Sequence, residues 1–224
     1  MMRQCRPNLW LRGRSHKRGI GTTAVGRGAR ISSLWCDNEA MPHDDLSTTF
    51  TGLVFIATSL DGFIARPSGD IGWLIENGDP GDTGYIDFMS EVDLLVMGRG
   101  TYEKAITFDS WPYVGRRVLL LSKSITTSSD DRVELHNSLD TLLKAIGASN
   151  AHRVYVDGGK VIQTFLKAGL IQEITITQLP LLLGDGIPLF GPIGQDVALS
   201  HVSTKVLSAG FVQSTYKVVG SQFS

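Results

Sequence analysis

The sequence predicts an α/β fold: a mainly parallel central sheet flanked by helices, with an antiparallel C-terminal hairpin. Three observations predict it. Short runs of β-branched and aliphatic residues alternate with stretches whose apolar residues recur at helical spacing, the pattern of successive parallel βαβ units. After residue 172 the helical stretches stop, and strand, loop and hairpin signals take over. The chain has 224 residues, 42% of them hydrophobic and 19% charged, enough for one sizeable core.

Taken in order, FTGLVFIATS reads as a buried strand and SLDGFIARPSGDIG as a loop rich in turn residues. DTGYIDFMSEV reads as a helix, DLLVMG as a short buried strand and RGTYEKAITF as a short helix. RRVLLLSKS and VELH are strands, and LDTLLKAIGA is an amphipathic helix. HRVYVDGG is a strand that passes through two glycines into the helix KVIQTFLKAGL. EITITQLPLLLG is a long strand with a break at Pro180, and GDGIPLFGPIG is a loop. HVSTKVLSAGFVQSTYKVV is the final hairpin, turning at Ser208-Ala209-Gly210. The one long loop follows the first strand, as expected of a lid or binding loop.

The net charge is −1, which gives no global sign of nucleic-acid binding. The charge is nevertheless uneven, because residues 1–40 hold eight basic and two acidic residues. Residues 1–48 read as a basic, disordered extension and 49–224 as the folded domain. The extension matches an organelle transit segment, an unstructured tail or an over-extended start with Met41 as initiator. No run is long and apolar enough to span a membrane, and a cytoplasmic location is expected. Both cysteines, Cys5 and Cys36, lie in the extension. The domain therefore has no disulfide framework, cysteine zinc site or cysteine nucleophile. His16, His43, His136, His152 and His201 lack metal-ligand spacing, and no metal is expected.

Two strand-to-helix turns carry the chemistry. In VYVDGGKVIQTFL, Gly158 and Gly159 precede a helix whose first N–H groups, with Lys160 and Val161, favour an anion; the same glycines also suit a plain tight turn. VMGRGTYEKA has the same form. There Gly98 and Gly100 flank Arg99, which can grip a phosphate, and Thr101 can cap the helix. Neither turn is a GxGxxG or a P-loop. In a parallel sheet both turns fall on the carboxyl edge, so one extended dianionic ligand can bridge them.

These segments resemble a known family. MGRGTYE, VDGGKVIQTFL, SLDGFIA and LLLSKS are similar, in order and spacing, to segments of dihydrofolate reductases over roughly residues 50–220. Within that superfamily, Ser59-Leu60-Asp61-Gly62, the acid before Gly-Gly (Asp157) and PLLLGDGIPLFG resemble the reductase domain of the bifunctional riboflavin deaminase-reductase, the RibD C-terminal family. The 224 residues contain no His-x-Glu with Pro-Cys-x-x-Cys, so a stand-alone reductase-type domain is expected.

The resemblance implies a dihydrofolate-reductase-like fold and NADPH as cofactor. It places Gly98, Arg99, Gly100 and Thr101 at the cofactor's phosphates and Gly158, Gly159, Lys160 and Val161 at its pyrophosphate. Ser122 and Lys123 fall near the adenosine 2′-phosphate, or form an exposed strand end. Ala57 and Ile64 flank the nicotinamide. Three carboxylates are catalytic candidates, each with a structural alternative. Asp61 can be an Asp-Gly turn residue, and Asp70 can contact a pterin or pyrimidine or be a turn residue or cap. Asp157 can bind substrate or brace its turn, and its charge should point away from a pyrophosphate. Trp73 and Trp111 either wall a pocket or pack in the core, and Glu103 reads as a helix-face residue. The reaction implied is reduction of a ribosylaminopyrimidine in riboflavin synthesis. The alternatives are a dihydrofolate or dihydropterin reductase and a non-catalytic nucleotide-binding protein of the same fold. The expected partners are a small pyrimidine or pterin substrate and a second copy of the chain.

Overall fold

The computed structural model describes residues 50–220; the basic extension, Cys5, Cys36, His16, His43 and Met41 lie outside the described residues. The strands are β1 (Thr51–Ser59), β2 (Phe63–Ala65), β3 (Leu94–Gly98), β4 (Arg117–Leu121), β5 (Glu134–His136), β6 (Arg153–Asp157), β7 (Glu173–Leu179), β8 (Ile187–Pro188), β9 (Leu199–Val206) and β10 (Val212–Val218). The helices are α1 (Trp73–Glu76), α2 (Tyr85–Glu91), α3 (Arg99–Ala105), α4 (Leu139–Ala148) and α5 (Gly159–Lys167). Eight strands form one sheet in the order β5-β4-β3-β6-β1-β7-β10-β9. Strands β5 through β7 in that order run parallel, and β10 and β9 add an antiparallel edge. This is the mixed α/β architecture expected from the alternation of strand and helix patterns.

The aliphatic strands owe their composition to burial on both faces. On one face Val54, Val96, Leu119, Val154 and Val156 pack against Leu142 and Ile146 of α4 and Val161, Ile162 and Phe165 of α5. On the other, Leu95, Met97, Leu120 and Tyr155 pack against Phe88 and Met89 of α2 and Tyr102 and Ala105 of α3. Phe165 is fully buried, and truncating it to alanine would cost about 3–5 kcal/mol. Ser138 caps α4 by accepting from the Thr141 N–H at 3.2 Å.

Two stretches that read as loops contain a ribbon. β2 pairs antiparallel with β8, and the Leu60 N–H donates to the Leu181 carbonyl at 2.8 Å. Strands of two and three residues are too short for alternation to reveal. α1, one turn long, also has no pattern of its own in the sequence. β7 stops one residue before Pro180, which cannot donate to the ladder.

Candidate active site

The strand order fixes where the chemistry-bearing residues meet. β4, β3, β6 and β1 are successive neighbours, so Leu121, Gly98, Asp157 and Ser59 end side by side on the carboxyl edge. The residues that follow them include Ser122 and Lys123, Arg99 to Thr101, Gly158 to Val161, and Asp61. The two glycine turns are thus brought together from sequence positions about sixty apart.

Their contact is close. Gly158 has φ +97°, and a Cβ there would lie 2.5 Å from Thr101 Oγ1 and 3.9 Å from the Gly98 nitrogen. A Cβ on Gly98 would lie 2.9 Å from Val161 Cγ2, and one on Gly159 would lie 2.7 Å from the Pro188 carbonyl and 3.3 Å from Ile64 Cδ1. Gly98, Gly158 and Gly159 are therefore required by the protein's own packing and, at Gly158, by backbone conformation. Gly100 differs, because nothing lies within 4 Å of where its Cβ would be. Thr101 does not cap α3. Gly98 holds that position with no side-chain hydrogen bond, because Thr101 lies inside the helix with its hydroxyl against Gly158.

Both turns leave their first helical N–H groups without a side-chain cap. Arg99 and Lys160 are exposed beside them, and Arg99 Nε lies 3.6 Å from Glu103 Oε1 on the next turn. Ser122 is buried and is not an exposed strand end; its hydroxyl oxygen accepts from the Ile125 and Ser124 N–H groups at 3.0 and 3.3 Å. Lys123 is exposed. Ile64 stands over Gly159 on the α5 side of the sheet, and Ala57 packs with Trp73, Leu179 and Phe211. Trp73 is fully buried in that cluster.

The three candidate carboxylates have different surroundings. Asp61 is exposed, and its oxygens accept from the Ser59 hydroxyl at 2.6 Å and from the Leu183 and Gly184 N–H groups at 3.1 and 2.8 Å. The serine hydrogen bond, followed by the backbone ones, holds its carboxyl below the usual range. It staples the loop after β1 to the loop after β7. Asp70 is exposed ahead of α1, accepts from the Gly72 N–H at 3.2 Å and lies 3.8 Å from Arg66 Nε. Its geometry is that of an Asx turn.

Asp157 is half-buried and faces the opposite way from α5. On β6 it lies two residues after Tyr155, and so shares its sheet face. The Tyr113 hydroxyl donates to Oδ2 at 3.3 Å, and Tyr155 and the Gly158 N–H also contact the carboxyl. Desolvation dominates and pushes the carboxyl up to about 6. Burial first, and then the Asp157 charge, pushes Tyr85 up to about 12 and raises Tyr113 and Tyr155 further. Rings of Phe55, Tyr85 and Phe88 pack with centroids 4.8–6.3 Å apart, and Phe88 meets Tyr155 edge-on at 5.1 Å. The phenols were missed in the sequence. Tyr155 was findable from its i, i+2 relation to Asp157, but Tyr85 and Tyr113 arrive from remote segments with no motif.

A cleft of about 650 Å³ lies at the amino ends of β4 and β5, lined by Trp111, Tyr113, Arg116, Arg117, Arg132 and Glu134, and meets the Asp157 cluster through Tyr113. Its guanidinium groups are already engaged by the Val92 carbonyl, Glu134 and Asp130. The carboxyl edge, where glycine turns, exposed cations and a perturbed carboxyl converge, is the better candidate. Among the described residues, no helix is long and apolar enough to cross a membrane.

Comparison with known proteins agrees with this fold. Residues 51–213 match the RibD C-terminal domain. The uncharacterised protein YwjB of Bacillus subtilis (strain 168) is 36% identical over 160 residues, spanning 68% of this chain and 90% of that protein. A Shewanella sp. PV-4 structure, provisionally assigned to riboflavin biosynthesis, is 39% identical with a TM-score of 0.70, over 75% of this chain and 99% of that one. Dihydrofolate reductase from Enterococcus faecalis, in complex with NADP(H), shares the fold at 18% identity and a TM-score of 0.57, over 76% and 97% of the two chains.

Proposed function

Because this chain belongs to the RibD C-terminal domain family, we propose that it is an NADPH-dependent reductase of the riboflavin-biosynthesis type, acting on a ribosylaminopyrimidine. One observation carries the reading: Asp157, a carboxyl held near neutrality among phenols, adjoins two uncapped glycine turns that present Arg99 and Lys160. The donor set suits the cofactor. Exposed cations and helical N–H groups without a side-chain cap are what a pyrophosphate and a phosphate monoester need, and the open space at Gly100 lets such a group approach the backbone.

In this reading Arg99, Gly100 and Lys160 bind the phosphates, and Ile64 and Ala57 give the nicotinamide an apolar bed. NADPH supplies a hydride to the electrophilic carbon of the substrate. The substrate's imine nitrogen or carbonyl oxygen then needs a proton. Asp157 carries one at neutral pH in a useful fraction of molecules, because burial raises its carboxyl to about 6. Asp61 ties the two flanking loops together and acts through their position.

The fixed place of Asp157 favours catalysis over simple nucleotide binding. The exposed Asx-turn geometry of Asp70 gives the dihydropterin alternative no buried acid of its own. The test is NADPH consumption by the full chain with a ribosylaminopyrimidine and, in parallel, a dihydropterin. Turnover with the pyrimidine, reduced about 100-fold or more by Asp157→Asn, is expected. Turnover with the dihydropterin alone, or undiminished by Asp157→Asn, contradicts the reading.

A further inference from the structure

We infer that Tyr113 is a positioning residue: its phenol hydrogen bond to Oδ2 fixes the Asp157 carboxyl and stabilises the carboxylate left after proton delivery. This rests on the reductase reading for its catalytic meaning, but the contact itself belongs to the fold.

The groups facing Asp157 are phenols and an amide: Tyr113 from the α3–β4 connection, Tyr155 on its own strand, Tyr85 on α2, and the Gly158 N–H. No salt bridge reaches it among the described residues. Of the phenols that lower the Asp157 carboxyl, Tyr113 has the larger effect. The Tyr155 hydroxyl divides its proton between the Phe55 carbonyl, at 2.9 Å, and Asp157, so its hold on the carboxyl is the weaker one. Tyr85 makes no hydrogen bond to Asp157 among the described residues; the Asp157 charge, after burial, raises its phenol. The Tyr113 hydroxyl has Asp157 as its sole acceptor among the described residues, which makes it the dedicated side-chain donor.

Tyr113 is itself held by a ladder of contacts that ends at the surface. Its ring meets Trp111 edge-on at 5.4 Å, and the Arg132 guanidinium lies 4.6 Å over the Trp111 ring. The Arg132 guanidinium makes two hydrogen bonds to Asp130, at 2.8 and 2.7 Å, and the Tyr102 hydroxyl donates to the same carboxylate at 2.9 Å. The Tyr113 carbonyl accepts from the Arg116 N–H at 3.1 Å. A buried phenol clamped at ring and backbone has little freedom, and it passes that rigidity to the carboxyl it bonds.

The test follows the Asp157 carboxyl carbon by NMR in the full chain with carbon-13-labelled aspartate, assigned by its loss in Asp157→Asn. Tyr113→Phe removes a donor to the charged form, so the midpoint is expected to rise by about half a pH unit or more. Fluorotyrosine placed at 113 is a stronger donor in a ring of nearly the same size, and should lower the midpoint. In turnover, the limb that falls with rising pH should move up in Tyr113→Phe. Midpoints that stay put in both variants overturn the inference. Failure of the two claims is distinguishable: without reductase activity the shifts persist and turnover is absent, whereas without the Tyr113 link turnover persists and the shifts vanish.

Discussion

Asp157 stands in tension with the fold that holds it. Burial raises its carboxyl from 3.8 to about 6, so between those values the folded protein holds a proton that the unfolded chain has released. The contribution of this group to stability therefore falls as pH rises from about 4 to 6 and stays low above that. Asp157→Asn removes the ionised form, and should stabilise the protein at pH 7.5 by about 2 kcal/mol, allowing for partial exposure, with the gain fading by pH 4. Chemical denaturation at the two pH values measures this; an equal effect at both contradicts it. Asp70→Asn, by contrast, alters an exposed turn and should leave pyrimidine turnover within about twofold. At this scale the sequence was partly legible. The acid before Gly-Gly was recognisable as a candidate, but its surroundings were not, because Tyr85 and Tyr113 meet it only through the tertiary fold. Asp61 and Asp70 looked equivalent to it until their partners were known.

The two glycine turns behave as one element. Gly158→Ala forces a side chain into φ +97° and places its Cβ 2.5 Å from Thr101 Oγ1. It should destabilise the protein by about 2–3 kcal/mol. Adding Thr101→Ala removes the clash but not the backbone strain, so the double variant should recover part of the loss. Thermal melts of the three variants test this, and complete recovery or none contradicts it. The turns themselves were legible from sequence, because a buried run followed by glycine, a cation and helical spacing is a local pattern. Their mutual packing was not, since Thr101 looked like a cap and proves to be the residue that Gly158 must accommodate. The β2–β8 ribbon was illegible for another reason: its strands are too short for a period, and pairing across the chain defines them.

The sheet as a whole places every candidate cofactor residue on the carboxyl edge or in the ribbon above it, because β3, β6 and β1 are neighbours in a parallel arrangement. That much followed from the alternation of strand and helix patterns, while the strand order itself depended on long-range pairing. The far edge is β9, with all eight residues exposed, including Val202 and Val206. An exposed edge of that length is a site for pairing with another strand. A homodimer is expected from light scattering, and a monomer at all working concentrations contradicts it.

The central claim is that the carboxyl edge binds NADPH, and the most direct measurement is titration of NADPH fluorescence with the full chain, with NADH in parallel. Gly100→Asp is the appropriate control, because it puts a negative charge into open space, whereas a change at Gly158 also disturbs packing. Saturable NADPH binding, weaker for NADH and weakened at least tenfold by Gly100→Asp, is the predicted result. Binding of neither cofactor, or binding indifferent to the added charge, would contradict the account and leave Gly158 and Gly159 as a turn made by packing alone.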